Sequence, residues 1–285
     1  MRFFQPIAVF LSLISVTAPS GVMAETAVES GHGQRGEEVK YQGLTLYVSK
    51  PRQKSLGYKK PGKRTGILFL TDVYGIQLKE NRQLVDKFAS NGFVTVAPDF
   101  FNGSPAPSVD TPGFNVTDFL AKHPPSVADP IVAKALTYLR KELGVNKIAA
   151  TGYCYGGRYV FRSLDKDGGG VDVGFTAHPS LLETDEIEAV IKPVSIAGAG
   201  EADPRRNHWG VGKADICIAN DNIFPQKRQA ETDAILTKIG KPFTSVLYSG
   251  TSHGFAVRPN TSEPQQVFAK EEAFYQAVRF FDAWA

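Results

Sequence analysis

The sequence predicts an α/β fold in which a mostly parallel central sheet carries helices on both faces. Two patterns predict it. Short apolar runs such as Ile67-Leu68-Phe69-Leu70 read as strands buried on both faces. Segments of helical period alternate with them along the chain, and that alternation is the mark of parallel strands joined by crossover helices. No internal repeat or linker interrupts the series, so residues 25–285 read as one domain. A chain of 285 residues with 42% apolar content buries a core without staples.

The elements follow in order. Leu44 to Val48 suggests a first strand, and the polar residues 25–40 before it a loose terminus. Residues 77–90 read as an amphipathic helix with Leu78, Leu84, Val85, Phe88 and Ala89 inward, stopped at Asn91-Gly92. Phe93 to Ala97 is the next strand, and a proline-rich loop runs to residue 112. Residues 126–143 form a second helix ended by Gly144. Lys147 to Thr151 is a strand, followed by a Gly-rich turn and a helix from about Gly157. Val173 to Ala177, Val194 to Ala199 and Phe243 to Tyr248 are further strands. Residues 225–239 and 262–284 are the last helices.

Residues 1–24 read as a secretory signal. Arg2 is the basic end, Ile7 to Ala18 the apolar stretch, and Val22-Met23-Ala24 the small-residue cleavage site. The expected location is therefore extracellular. The apolar run is too short to span a bilayer. Asn102, Asn115 and Asn260 each head a glycosylation triplet.

Composition excludes several classes. A formal net charge of +3 is too small to point to nucleic acid. The basic run from Lys50 to Arg64 lacks aromatic residues and reads as a solvated loop. Two cysteines exclude a disulfide scaffold. Five histidines without HExxH or a close pair give no expected metal site. No cofactor is implied.

The sharpest feature is Gly152-Tyr153-Cys154-Tyr155-Gly156-Gly157, directly after a strand and before a helix. It is the G-x-S-x-G nucleophile elbow with Cys at the nucleophile position. A side chain exposed on such a turn needs bare neighbours two residues away, which Gly152 and Gly156 supply. The helix N-terminus behind Cys154 favours the thiolate. The Tyr155 N–H can point at a developing oxyanion. In this arrangement the acid and then a His follow the nucleophile in the chain. His253, in the loop after the last strand, fits the general base. His178, His208 and His123 compete with it, and His178 ends a strand where it can line a pocket. For the acid, Asp203 fits the distance from strand Val194 to Ala199, and Asp221 lies farther on.

With these residues placed, the chain resembles the dienelactone hydrolase family of α/β-hydrolases, in its fungal form, over about residues 42–285. The matching stretches are Thr71-Asp72-Val73-Tyr74-Gly75, Pro98-Asp99-Phe100-Phe101-Asn102-Gly103, the elbow itself, Ala177-His178-Pro179-Ser180, Asp221-Asn222-Ile223-Phe224-Pro225 and His253-Gly254-Phe255-Ala256-Val257-Arg258. The resemblance implies the α/β-hydrolase fold and a Cys154, His253, Asp221 triad. It implies Asp72 as an acid interacting with the thiol, where bacterial members carry Glu. It implies the Val73 N–H as second oxyanion donor, with Tyr155 the first. Arg258, His178 and Tyr74 become candidates for substrate binding. The implied substrate is a small ester or enol-lactone, hydrolysed without cofactor or metal.

One segment departs from the family pattern. Gly200 to Ala219, 20 residues, separates the strand from Asp221. Removing it joins Gly198-Ala199 to Asn220-Asp221, as the family has it. The segment holds Cys217 and has no helical or strand period. It reads as a loop insertion or a retained intron, since Gly200-Glu201 can be encoded by a splice-donor sequence. Two other activities stay open: a general carboxylesterase or thioesterase, and a non-catalytic binding protein on the same scaffold.

Overall fold

The computed structural model describes residues 35–51, 65–108, 111–165, 170–200 and 223–285. The expected leader at 1–24, His32, the basic run beyond Pro51, Asp203, His208, Cys217 and Asp221 lie outside the described residues.

Eight strands form one sheet: β1 (Glu37–Tyr41), β2 (Leu44–Ser49), β3 (Thr65–Leu70), β4 (Val94–Pro98), β5 (Lys147–Tyr153), β6 (Val173–Ala177), β7 (Val194–Ala199) and β8 (Phe243–Tyr248). Their spatial order is β1-β2-β4-β3-β5-β6-β7-β8. From β4 to β8 all neighbours pair parallel, while β1 and β2 add an antiparallel edge. The bounds of β6, β7 and β8 coincide with the expected ones. Strand β1 corrects the reading of residues 25–40 as a loose terminus. Glu37-Glu38-Val39-Lys40-Tyr41 hairpins onto β2 through Gln42 and Gly43, both at positive φ, and is exposed or half-buried throughout. A solvated edge strand lacks the apolar pattern by which a strand is recognised.

The helices are α1 (Lys79–Ser90), α2 (Val116–Ala121), α3 (Pro125–Lys141), α4 (Tyr155–Ser163), α5 (Thr184–Glu188), α6 (Gln226–Ile239) and α7 (Pro264–Trp284). They cover both faces, because strand side chains alternate. Ile67 and Phe69 of β3 join Val85 and Phe88 of α1 and Phe274 and Phe281 of α7 in one core. Leu68 and Leu70 join Leu136 of α3, Val160 of α4 and Leu236 of α6 in the other. Phe88 is fully buried against Phe69, Phe274 and Phe281. Burying such a side chain contributes about 1.5–3 kcal/mol. Short α2 and α5 were not expected. Asn115 caps α2 by accepting from the N–H groups of Thr117 and Asp118. No helix among the described residues is long and apolar enough to cross a membrane.

The order places a site. The chain winds from β3 to β4 on one side and from β5 to β8 on the other. The topological switch therefore lies between β3 and β5, and ligands of open α/β sheets bind at the carboxyl ends of strands there.

Candidate active site

Cys154 occupies that switch point. Strand β5 ends at Tyr153, α4 begins at Tyr155, and Cys154 alone makes the turn, with φ 51° and ψ −116°. A non-glycine residue with this backbone is strained and is held only by its surroundings. The surroundings are close-packed backbone. A Cβ on Gly152 would collide with the Gly156 carbonyl, and one on Gly156 with the carbonyls of Leu70 and Thr71. A Cβ on Gly157 would lie 2.8 Å from Pro179 Cα. The glycines let α4 rest directly on β3 and on the segment after β6. Cys154 is buried, at 5% exposure, over the N-terminus of α4. That helix end presents N–H groups without intrahelical acceptors, and its partial positive charge favours a thiolate.

Strand register carries Asp72 to the same place. Leu70 pairs with Gly152 across parallel β3 and β5, and Asp72 and Cys154 each follow two residues later. Asp72 is 2% exposed. Its Oδ1 accepts from Asn81 Nδ2 at 2.8 Å and from the Tyr74 N–H at 3.1 Å. Its Oδ2 lies 3.8 Å from Arg258 Nε. Burial raises the Asp72 carboxyl above its ordinary range, while Arg258, Asn81, the Tyr74 N–H and His253 pull it back. Asn81, on α1, spends its other donor on the Gly75 carbonyl at 2.9 Å and so fixes the turn holding Asp72 and Val73. The Val73 carbonyl accepts from the Ala106 N–H at 2.9 Å, which orients the adjoining peptides.

His253 enters from the loop after β8 and is buried. Behind it, Gly254 to Arg258 makes a single helical turn, with the Arg258 N–H donating to the Gly254 carbonyl at 2.9 Å. The turn swings Arg258 over the ring of Tyr74, 4.2 Å from its centroid, and toward Asp72. Lys270 of α7 clamps the turn by donating to the Val257 carbonyl at 2.9 Å.

His178 stands beside His253, ring centroids 4.8 Å apart. It is fully buried at φ 39°, and neither ring nitrogen has a hydrogen-bond partner among the described residues. Burial first, then His253 and Arg258, hold it well below the usual histidine pKa, so it is neutral. Its position beyond β6 puts it within the site, as its place at a strand end suggested. His123 does not reach the site. Its ring packs on Phe101 and Phe119, and its carbonyl accepts from the Tyr155 hydroxyl at 2.7 Å.

Thus Cys154, His253, Asp72, Val73, Tyr74, Tyr155, His178 and Arg258 cluster at the carboxyl ends of β3, β5, β6 and β8. Two further residues that touch this cluster were not anticipated. Asn81 has no motif signal. Ser180 stood within a matching stretch but without a role, and its hydroxyl donates to Cys154 Sγ at 3.2 Å.

Comparison with known proteins decides the family. The family model described as the dienelactone hydrolase family matches residues 54–209. The chain belongs to the dienelactone hydrolase family. It is a hydrolase of the dienelactone hydrolase type, with the α/β-hydrolase fold. Among curated relatives, the hydrolase pyvD of Aspergillus violaceofuscus is 36% identical over 93% of this chain and 97% of its own length. The hydrolase tropI of Talaromyces stipitatus is 35% identical over 85% of this chain and 87% of its own. Among solved structures, a dienelactone hydrolase-like promiscuous phosphotriesterase from metagenomic libraries superposes with a TM-score of 0.64. It is 15% identical and covers 87% of this chain and 98% of its own. Esterase 2 of Thermogutta terrifontis gives a TM-score of 0.57 at 18% identity, over 87% and 94%. At these identities the two structures speak for the fold.

Proposed function

We propose that this dienelactone hydrolase family member hydrolyses a small ester or enol-lactone through a covalent thioester on Cys154. The observation that carries the reading is the strained turn that presents Cys154 at the N-terminus of α4, one strand away from Asp72.

In the proposed reaction Cys154 Sγ, as thiolate, attacks the carbonyl carbon. The carbonyl oxygen becomes an oxyanion and accepts hydrogen bonds from the Tyr155 and Val73 N–H groups. Collapse breaks the bond to the ester oxygen, which leaves as alkoxide or enolate and takes a proton from the imidazolium of His253. Neutral His253 then removes a proton from water, whose hydroxide attacks the thioester. Breakage of the carbon–sulfur bond releases the acid and restores the thiolate. Asp221 serves as the third member, holding the His253 tautomer. Asp72, carried one strand away from Cys154, takes the role of the acid that interacts with the thiol at rest.

A thiolate departs more easily than an alkoxide, so the tetrahedral adduct reverts unless the leaving oxygen is stabilised. Enol-lactones meet that condition because an enolate leaves. Arg258, stacked on Tyr74 and close to Asp72, supplies a cation for an anionic group on the substrate. A kinetic panel of enol-lactones, p-nitrophenyl esters and acyl thioesters tests the reading. It predicts kcat/KM highest for an enol-lactone bearing a carboxylate. Preference for simple alkyl esters or thioesters would replace it with a general esterase.

A further inference from the structure

The segment after β6 is built to bring one hydroxyl onto the nucleophile. His178 and Leu181 both have positive φ, 39° and 58°, so two strained residues bracket Pro179 and Ser180. Pro179 packs against Gly157 of α4, where a side chain would collide. The Ser180 N–H donates to the Cys154 carbonyl at 3.0 Å, and the Cys154 N–H donates to the Ala177 carbonyl at 3.3 Å. These bonds lock the segment to the elbow from both sides. Ser180 itself is 5% exposed, and its hydroxyl donates to Cys154 Sγ at 3.2 Å. The constrained backbone thereby fixes the Ser180 hydroxyl with Cys154 Sγ as its acceptor.

We propose that Ser180 is a further catalytic residue, whose hydroxyl hydrogen-bonds the Cys154 thiolate and holds it charged and aimed between attacks. The proposal rests on Cys154 as nucleophile. A hydroxyl donor stabilises a thiolate more than a thiol, so it lowers the pH at which the thiolate forms. As Sγ bonds to the carbonyl carbon its charge passes to the oxyanion. The hydroxyl then loses its charged acceptor, and regains it when the thioester is hydrolysed. Ser180 thus adds a side-chain donor to the effect of the helix N-terminus on Sγ.

The test is the pH dependence of iodoacetamide alkylation at Cys154, followed by mass spectrometry of its peptide in the wild type and in Ser180→Ala. Reading one peptide separates Cys154 from Cys217. A charge-assisted hydrogen bond corresponds to a midpoint shift of about one pH unit upward in Ser180→Ala. The kcat/KM profile shifts by the same amount, with about a tenfold loss below both midpoints and recovery to within about threefold above them. Ser180→Thr, which keeps the hydroxyl, restores the wild-type midpoint. An unshifted alkylation midpoint in a folded Ser180→Ala overturns the proposal, as does an activity loss that is the same at every pH. A shifted midpoint together with full activity of Cys154→Ala would retain the contact and overturn the nucleophile instead.

Discussion

The imidazole of His178 lies against that of His253 at 4.8 Å between centroids, and the first is neutral because it is buried beside the second. The rings of Tyr153 and Phe255 also pack around it, and Arg258 adds a second positive influence. Among the described residues no acidic group offsets a positive charge at His178.

Acid stability follows from this pairing. In the unfolded chain His178 takes up a proton near pH 6.5, and in the folded protein only far below. The unfolded state thus binds more protons in that window, and stability falls as pH drops from about 6.5. The slope is up to about 1.4 kcal/mol per pH unit for one group. His178→Asn tolerates the positive φ and removes the titration. Urea unfolding between pH 7 and 5 should give a shallower decline for His178→Asn. Parallel curves for the two proteins would show that His178 does not titrate on unfolding.

The elbow sets a steric prediction. Gly156→Ala drives a methyl group into the Leu70 and Thr71 carbonyls, where β3 ends and the chain leads on to Asp72. Neither backbone can retreat without disturbing the sheet. Overpacking of this kind costs about 1–3 kcal/mol or more, and thermal denaturation reads it as a clear drop in Tm. A Tm equal to wild type would mean that α4 does not rest on β3.

Arg258 should discriminate by substrate charge. Arg258→Gln removes the cation over Tyr74 while leaving Cys154 and His253 in place. KM for a carboxylated substrate should rise by about tenfold or more, as expected for a lost charged hydrogen bond. An uncharged ester of the same size should be affected by less than about threefold. Equal losses on both substrates would assign Arg258 to the integrity of the Asp72 turn alone.

The triad acid is settled by a pair of variants. Asp221→Asn should lower kcat by about a thousandfold or more, as loss of the orienting carboxylate does in triads. Asp203→Asn should leave kcat within a few-fold of wild type. The opposite ranking would move the acid into the segment 200–219.

The sequence spoke clearly where local pattern and local chemistry agree. Cys154 between Gly152 and Gly156 was legible because the turn itself demands those residues. Strands β6 to β8 were legible because each is a short run between breakers. Placing Asp72 beside Cys154 needed more, because β3 becomes the neighbour of β5 only through the strand order of the folded sheet. Strand β1 escaped because its residues face solvent, and pairing with β2 rather than burial makes it a strand. Ser180 and Asn81 escaped for a related reason. Their side-chain bonds to Cys154 and Asp72 are made across 26 and nine residues of chain by tertiary packing. His178 was legible as a strand-end residue, whereas its neutrality comes from burial in the folded protein first, and then from His253 and Arg258.

A covalent thioester on Cys154 underlies all of this chemistry. Rapid quenching in acid of wild-type enzyme turning over a slowly deacylating p-nitrophenyl ester, followed by mass spectrometry of the Cys154 peptide, reads it. The account predicts an acyl adduct on Cys154, formed with a burst of p-nitrophenol, with adduct and burst both absent in Cys154→Ala. Full turnover by Cys154→Ala, or an adduct on any other residue, would contradict it.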